Sequence, residues 1–180
     1  MDNDVKEVLL SAEQIQARVK EMAQQIATDY RGREPVLVGV LDGAVVFLAD
    51  LMRALPIAVR VDFVKWSSYG DATVSSGEVQ VLKDLGSSIE GKHVLVVEDI
   101  VDTGLTLRYL LENFENRSVA SLAVAALLDK PSRRKVDVKL DYVGFQVPDE
   151  FVVGYGLDLA QRYRNLPYVA VLKPEVYRGS

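Results

Sequence analysis

The sequence predicts an α/β fold with a central, mostly parallel sheet flanked by helices, and three observations support this class. Short apolar runs without polar alternation, such as residues 36–41 and 94–97, are typical of strands that are covered on both faces. Segments with apolar residues at helical spacing lie between these runs. Strands and helices therefore alternate along the chain, which favours parallel strands joined by right-handed crossovers.

A capping box begins the first predicted helix, because Ser11 is followed three residues later by Gln14. The apolar stripe of this helix consists of Ile15, Val19, Met22 and Ile26, and Gly32 is expected to end it. A second helix is predicted over residues 44–55, since Pro56 cannot continue it. The other predicted elements are strands at 36–41, 58–64, 78–82, 94–97, 119–128, 136–145 and 168–172, a helix at 107–114 and a long loop at 65–77.

Length and composition limit the classes of function. The 180 residues are close to the size of one domain, so we expect a single domain over residues 1–180. A hydrophobic share of 49% without a run of membrane-spanning length argues against a membrane partner. The net charge of −5 argues against a nucleic-acid partner, which would require a basic surface. The first ten residues lack the pattern of a signal peptide, and we expect a cytoplasmic protein.

The counts of cysteine and histidine exclude several kinds of catalytic or metal site. The chain has no cysteine, which excludes disulfides, thiolate zinc sites and a cysteine nucleophile. Its one histidine, His93, has no second metal ligand or serine near it in the sequence, and we interpret it as a solvated residue just before a strand.

The segment 94–106, VLVVEDIVDTGLT, joins a buried strand to an acidic pair and then to a turn that opens a helix. Ligands of open α/β sheets bind beyond the carboxyl ends of the strands, and unpaired N–H groups at a helix start attract anions. Thr103, Gly104 and Thr106 could therefore hold a phosphate. Nearby carboxylates would repel it unless a hard cation or sugar hydroxyls lay between, which suggests Mg²⁺ and a ribose. The alternative is that the acidic pair ends a strand and Asp102 caps a helix.

This segment resembles the 5-phosphoribosyl-1-pyrophosphate (PRPP) signature of the type I phosphoribosyltransferases. Further motifs extend the resemblance over residues 8 to 174 and point to the hypoxanthine-guanine members of that family: LDG at 41–43, SSYG at 67–70, LLDKP at 127–131, and GFQVPDEFVVGYGLD at 144–158 followed by Arg164. The resemblance implies a type I phosphoribosyltransferase fold with a small hood and a flexible lid loop. It also implies a Mg²⁺-dependent purine salvage enzyme that transfers the phosphoribosyl group of PRPP to N9 of hypoxanthine or guanine, giving IMP or GMP and pyrophosphate.

The resemblance also implies a role for each residue of the signature. Glu98 and Asp99 would hold the ribose hydroxyls and the Mg²⁺ shell, where carboxylates suit the positive charge of an oxocarbenium-like transition state. Asp102 would be the catalytic general base that takes the proton from purine N7. The 5-phosphate would bind the turn formed by Asp102, Thr103, Gly104, Leu105 and Thr106.

Further residues would bind the base and the pyrophosphate. By resemblance, Lys130 donates to the purine 6-oxo group, Phe151 stacks on the base, the backbone of Val152 reads its Watson–Crick edge, and Asp158 lies beside the purine and reaches Mg²⁺ through water. Asp42 and Gly43 would form the pyrophosphate loop, which in the family contains a non-proline cis peptide bond. Arg164 would clamp pyrophosphate, with Arg162 as a rival by spacing, and Ser68 and Tyr69 would belong to the lid.

Two departures from the family and three open alternatives accompany this interpretation. Asp42 stands where many relatives have lysine or asparagine, and Leu105 replaces a lysine seen in some relatives. The phosphates must then bind backbone N–H groups and hydroxyls, and PRPP binding is expected to be weaker than in lysine-bearing members. A xanthine-preferring phosphoribosyltransferase is one alternative function. A PRPP- or nucleotide-sensing regulator that binds RNA or DNA on the same fold is another. The resemblance further implies a homodimer or a homotetramer, and the sequence leaves that choice open.

Overall fold

The computed structural model describes residues 1–68 and 79–178. Two short 3₁₀ turns occur in them, at Asp2–Asp4 and Pro131–Arg133. The strands and helices of these residues are β1 (Val5–Leu10), α1 (Ala12–Asp29), β2 (Val36–Val40), α2 (Val45–Ala54), β3 (Arg60–Ser68), β4 (Val79–Lys83), β5 (His93–Val101), α3 (Leu105–Glu115), β6 (Ser121–Asp129), β7 (Tyr142–Gln146), β8 (Val152–Val153), β9 (Val169–Leu172) and α4 (Pro174–Tyr177).

The larger sheet has the strand order β4-β3-β2-β5-β6-β7, and all its pairings are parallel except that of β3 with β4. The chain proceeds from β2 to β3 on one side and then returns to place β5 on the other side of β2. The order of the strands therefore reverses between β2 and β5. Loops leaving the carboxyl ends of two such strands diverge and open a crevice, which is where ligands bind in sheets of this kind.

Helices cover both faces of the larger sheet, as the sequence predicts. Leu95 and Val97 of β5 face one core together with apolar residues of α1 and α2. Val94 and Val96, which alternate with them, face a second core built on α3. Because both faces of β5 are buried over residues 94–97, each of these positions is apolar, and the sequence therefore shows no alternation there.

Helix α1 confirms the capping box. The Ser11 hydroxyl accepts from Gln14 N at 3.1 Å, and Gln14 Oε1 accepts from Ser11 N at 2.8 Å. The four predicted stripe residues are all buried, and the helix ends at Asp29, shortly before Gly32 with its φ of 75°.

A second sheet of three strands, in the order β1-β9-β8, corresponds to the expected hood. Both pairings are antiparallel, with Val5 opposite Leu172 and Val152 opposite Val171. Strand β1 was not among the predicted elements. Its sequence VKEVLL has charged residues at its second and third positions, and it becomes a strand by pairing with β9 near the far end of the chain.

Several predicted boundaries are wrong. The strand predicted at 58–64 continues to Ser68, because its end pairs with β4. The rest of the loop predicted at 65–77 lies outside the described residues, as does Tyr69 of the expected lid. The strand predicted at 136–145 begins only at Tyr142. The central strand does not end before the acidic pair but extends to Val101, since Glu98 and Ile100 continue the pairing with β6.

His93 also differs from its interpretation as a solvated residue before a strand. It is the first residue of β5 and half-buried, with Nδ1 2.7 Å from the Ser121 hydroxyl of the neighbouring strand. Over residues 1–68 and 79–178, no helix combines the length and hydropathy needed to cross a membrane.

Candidate active site

The loops after β2 and β5 meet at the point where the strand order reverses. A Cβ placed on Gly43 would lie 1.8 Å from Asp99 Oδ2, so only glycine permits this approach of the backbone to the carboxylate. Gly156, with a φ of 99°, approaches from the other side, where its Cβ would lie 2.1 Å from the Gly43 carbonyl oxygen. The bond between Leu41 and Asp42 is a cis peptide, as the resemblance implies.

The acidic pair lies on the last third of β5, beside that loop. Burial raises the pKa of Glu98 well above its ordinary value, and the negative charges of Asp99 and Asp102 raise it further. Burial also raises the pKa of Asp99 to about 6, although the N–H of Ile100 and the charge of Arg164 oppose this shift. Burial disfavours the charged forms of these two half-buried carboxylates, and a cation beside them would stabilise those forms. Carboxylates with raised pKa values are typical of functional sites.

The turn after β5 forms a small concave site of about 60 Å³, lined by Glu98, Ile100, Val101, Asp102, Thr103, Gly104, Thr106 and Leu107. Gly104 has a φ of 81° and precedes the first residue of α3. Gly104 has no side chain with which to cap the helix, and the first backbone bond into the turn runs from Arg108 N to Gly104 O. The N–H groups of the first helical turn are therefore oriented towards this concavity, where an anion would find them.

Three predicted phosphate-site residues differ in their surroundings. Asp102 is exposed, and its Oδ1 accepts from Thr103 N at 2.6 Å. The Thr103 hydroxyl is 3.4 Å from Leu105 N. The Leu105 side chain is exposed and does not line the concave site, so the residue contributes to it only through its backbone.

A larger cleft of about 590 Å³ opens beside the turn. Of its lining residues, Lys130 is buried, and its Nζ donates to the Glu150 carbonyl at 2.8 Å. Phe151 is not a core residue, because 45% of it is exposed at the edge of the cleft. The lining includes the predicted ribose ligand Asp99, the predicted general base Asp102 and the predicted base-binding residues Lys130, Phe151, Val152 and Asp158; its other residues are Ile100, Arg133, Asp149, Glu150 and Leu157.

Arg164 lies beside these acidic residues, whereas Arg162, the alternative by spacing, does not. Arg164 lies 3.3 Å from Asp158 Oδ1 and donates to the Gly156 carbonyl at 2.6 Å, and its charge lowers the pKa of Asp99. Arg162 is exposed, with its guanidinium carbon 5.4 Å from the centre of the Tyr163 ring. The geometry therefore favours Arg164 as the cation beside the acidic pair.

Two of the predicted site residues, Asp42 and Ser68, contact β3 or belong to it. Asp42 Oδ2 accepts from Lys65 Nζ at 2.7 Å, so the acidic side chain of the loop is paired with a lysine that the sequence did not single out. Ser68 is the last residue of β3 and therefore lies at the boundary of the expected lid.

The chain belongs to a known family. A family model described as a phosphoribosyl transferase domain matches residues 7–160. The chain is 54% identical over 179 residues to hypoxanthine-guanine phosphoribosyltransferase of Bacillus subtilis strain 168, with 99% of each chain covered. It is a member of the hypoxanthine-guanine phosphoribosyltransferase family.

Solved structures of this phosphoribosyltransferase family confirm the expected fold. The chain resembles a hypoxanthine phosphoribosyltransferase from Staphylococcus aureus with a TM-score of 0.95 and 53% identity, covering 98% of this chain and 96% of that one. It also resembles the hypoxanthine phosphoribosyltransferase of Trypanosoma cruzi with a TM-score of 0.93 and 47% identity, covering 97% and 95%.

The sequence interpretation missed two residues that contact predicted site residues of this phosphoribosyltransferase. Lys65 was assigned to a loop, and Arg134 was given no role. Arg134 pairs with Asp129, five positions earlier on the other side of Pro131. An acid and an arginine that bracket a proline turn after a buried strand were the available signal.

Proposed function

We propose that this chain transfers the 5-phosphoribosyl group of PRPP to N9 of hypoxanthine or guanine, giving IMP or GMP and pyrophosphate. One observation carries the proposal. The cleft beside α3 is lined by Asp99, one of the two carboxylates expected to serve the ribose, and by the lysine and aromatic ring expected to bind the base. The 54% identity to the Bacillus subtilis enzyme over the whole chain supports the same substrates.

PRPP binding is proposed to use two backbone surfaces. The turn from Asp102 to Thr106 binds the 5-phosphate through N–H groups at the start of α3 and through the hydroxyls of Thr103 and Thr106. Asp42 and Gly43 bind pyrophosphate with their backbone, and Arg164 contributes charge-assisted hydrogen bonds. Glu98 and Asp99 then lie against the ribose hydroxyls.

Magnesium fits the residues present. Within the described residues no group of three or more His, Cys, Asp or Glu side chains is gathered as a metal site. Mg²⁺ needs no such cage, because it commonly binds one or two carboxylates and completes its shell with water and substrate phosphates. Glu98 and Asp99 would supply the carboxylates, with Asp158 reached through water, and a cation beside Asp99 would stabilise the charged form that burial disfavours. When bound, Mg²⁺ neutralises charge that develops on pyrophosphate.

The base is proposed to be recognised and deprotonated from opposite sides of the cleft. Lys130 donates to the 6-oxo group, which selects 6-oxopurines over adenine. Phe151 stacks on the ring, and the backbone of Val152 pairs with its edge. N9 attacks ribose C1 as the bond to pyrophosphate breaks, and Asp102 accepts the proton that leaves N7.

The deciding experiment is a parallel spectrophotometric assay with PRPP and Mg²⁺ against hypoxanthine, guanine, xanthine and adenine. We expect turnover of the first two and a large loss of kcat in Asp102→Asn. Faster turnover of xanthine would instead assign the chain to a xanthine-preferring enzyme. Binding of PRPP without turnover of any base would contradict the enzyme and favour a sensor, which RNA binding at physiological salt would then test.

Assembly into a homodimer or homotetramer is part of the proposal. Helix α2 supports it, because Val45 and Met52 are 42% and 37% exposed on a helix that buries Phe47, Leu48 and Leu51. Sedimentation velocity at micromolar concentration tests this point, and a single species of monomer mass would contradict it.

A further inference from the structure

Arg134 connects the turn that carries Asp102 with the end of the strand that carries Lys130. Its Nε donates to the Asp102 carbonyl oxygen at 3.0 Å. Its terminal NH2 group donates to Oδ1 of Asp129, the last residue of β6 and the neighbour of Lys130. Asp129 is 8% exposed, so this ion pair is shielded from solvent.

The same segment holds the rest of the turn. The Thr103 carbonyl accepts from Lys135 N at 2.9 Å. A Cβ on Gly104 would lie 3.1 Å from Arg134 Cδ, so the arginine stem also packs against the turn. In this way the carbonyl groups of both residues that precede Gly104 are fixed by residues 134 and 135. The Asp102 carboxylate itself is exposed, and its Oδ1 accepts from the N–H of Thr103.

We propose that Arg134 is a positioning residue that sets the place of the Asp102 carboxylate, an inference that rests on the proposed function of Asp102 as general base. Fixing the carbonyl of a residue restricts its backbone torsions and therefore the direction of its side chain. Arg134 suits this task because one rigid guanidinium binds two acceptors in fixed directions, which a lysine ammonium does not.

In this role Arg134 differs from arginines that only stabilise the fold. Arg18 is the matched comparison, because it also joins two elements by bonds to carbonyls and a carboxylate. It donates to Gly144 O at 3.0 Å, to Val143 O at 2.6 Å and to Glu21 at 3.0 Å, and its side chain is 31% exposed, compared with 21% for Arg134. These three bonds join α1 to itself and to β7, and none of them involves the turn.

The first experiment compares Arg134→Met with Arg18→Met in the full-length chain by steady-state kinetics with hypoxanthine and PRPP. We expect Arg134→Met to lower kcat by about tenfold to a hundredfold, since small misplacement of a reacting group has effects of that size. The KM for hypoxanthine should change less than about twofold, because Lys130 and Phe151 are retained. Arg18→Met should leave kcat unchanged.

Arg134→Met leaves the shielded Asp129 carboxylate without its partner, which endangers folding. Two further variants keep the test decisive. Asp129→Asn/Arg134→Met removes the unpaired charge and should fold while retaining the low kcat. Arg134→Lys retains the positive charge but lacks the rigid fork that binds the Asp102 carbonyl and the Asp129 carboxylate together. We therefore expect it to have a low kcat as well.

The decisive measurement repeats Arg134→Met in the Asp102→Asn background. If Arg134 acts through Asp102, the substitution lowers kcat there by less than about twofold, because residues that act as a unit are not additive. An equal fold-loss in both backgrounds would overturn the proposal and make Arg134 a general structural residue. A normal kcat for Arg134→Met would overturn it as well. An unmodified chain that forms neither IMP nor GMP would instead reject the proposed function, so the two failures are distinguishable.

Discussion

Lys65 Nζ lies 2.7 Å from Asp42 Oδ2, so the loop proposed to bind pyrophosphate carries its own ion pair. The lysine comes from β3, one residue beyond the pairing of Val40 with Val64. The sequence alone suggested that Asp42 weakens PRPP binding because a possible charge contact to pyrophosphate is lost. The structure adds that the charge of Asp42 is offset by a residue from the adjacent strand.

Without Lys65, bound pyrophosphate would lie beside an Asp42 carboxylate whose negative charge is no longer neutralised. We predict that Lys65→Met raises the KM for PRPP by about threefold to tenfold, the range for losing one half-exposed charge. Asp42→Asn in the same chain should return the KM towards the original value. Lys83→Met, which removes a lysine from the paired strand β4, is the control. A KM that rises equally in the single and the double variant would show that Lys65 contacts pyrophosphate directly.

Because the pKa of Asp99 is raised, ionising this carboxyl destabilises the folded protein when no ligand is bound. The native state holds the proton more tightly than the unfolded chain, so stability is lost as pH rises from about 4 to about 6. We predict that the stability advantage of Asp99→Asn over the unmodified chain grows by about 1 to 3 kcal/mol between pH 4 and pH 7.5. Urea unfolding at both pH values measures it, and a gap that does not change with pH would contradict the argument.

Gly43 leaves no space for a side chain against Asp99. We predict that Gly43→Ala displaces the carboxylate, lowers kcat/KM for PRPP at least tenfold and destabilises the fold by about 1 to 3 kcal/mol through overpacking. Gly86→Ala is the control, because a Cβ there would lie 3.7 Å from Asp62, an ordinary contact. Kinetics and thermal unfolding of both variants test this, and similar behaviour of the two alanine variants would rule it out.

The ring proposed to stack on the base is supported from the end of the chain. The rings of Phe151 and Tyr177 lie 5.9 Å apart at 36°, and Tyr177 is the last residue of α4. We predict that Tyr177→Leu raises the KM for hypoxanthine by about threefold to tenfold, the size of one aromatic pair, with little change in the KM for PRPP. Tyr109→Leu, which removes a ring paired with Trp66 at 5.4 Å, should leave both constants unchanged. Equal changes in both constants would indicate a loss of folded enzyme instead.

Local signals were sufficient for α1, α2 and α3 and for the central strands β2, β5 and β6, but not for α4 or β8. The capping box at Ser11 and the uniform apolar residues at the start of β5 are determined by bonds and burial within short segments, and both are confirmed. Strand β1 and the end of β3 depend on partners from elsewhere in the chain, so their own residues carry little indication of them.

The candidate site also combines residues that a local pattern predicts with residues that no local pattern predicts. The turn from Asp102 to Thr106 is contiguous in the sequence and could be identified there. Lys65 and Arg134 act across 23 and 32 residues, on Asp42 and on the Asp102 carbonyl, and no local pattern specifies those contacts. The non-proline cis peptide at Leu41 was predicted only by family resemblance, since nothing in the residue types requires it.

Both sheets contribute to the proposed substrate site. Glu98 and Asp99 belong to the six-stranded sheet, and Lys130 directly follows its strand β6, whereas Val152 belongs to the three-stranded sheet in which β9 pairs with both β1 and β8. Hydrogen bonds between strands therefore do not transmit a change in one sheet directly to the other. Substitutions in the three-stranded sheet can consequently alter contacts to the edge of the base while Lys130 and the sugar-phosphate residues keep their places, which makes this sheet a target for redirecting the scaffold to other 6-oxopurines.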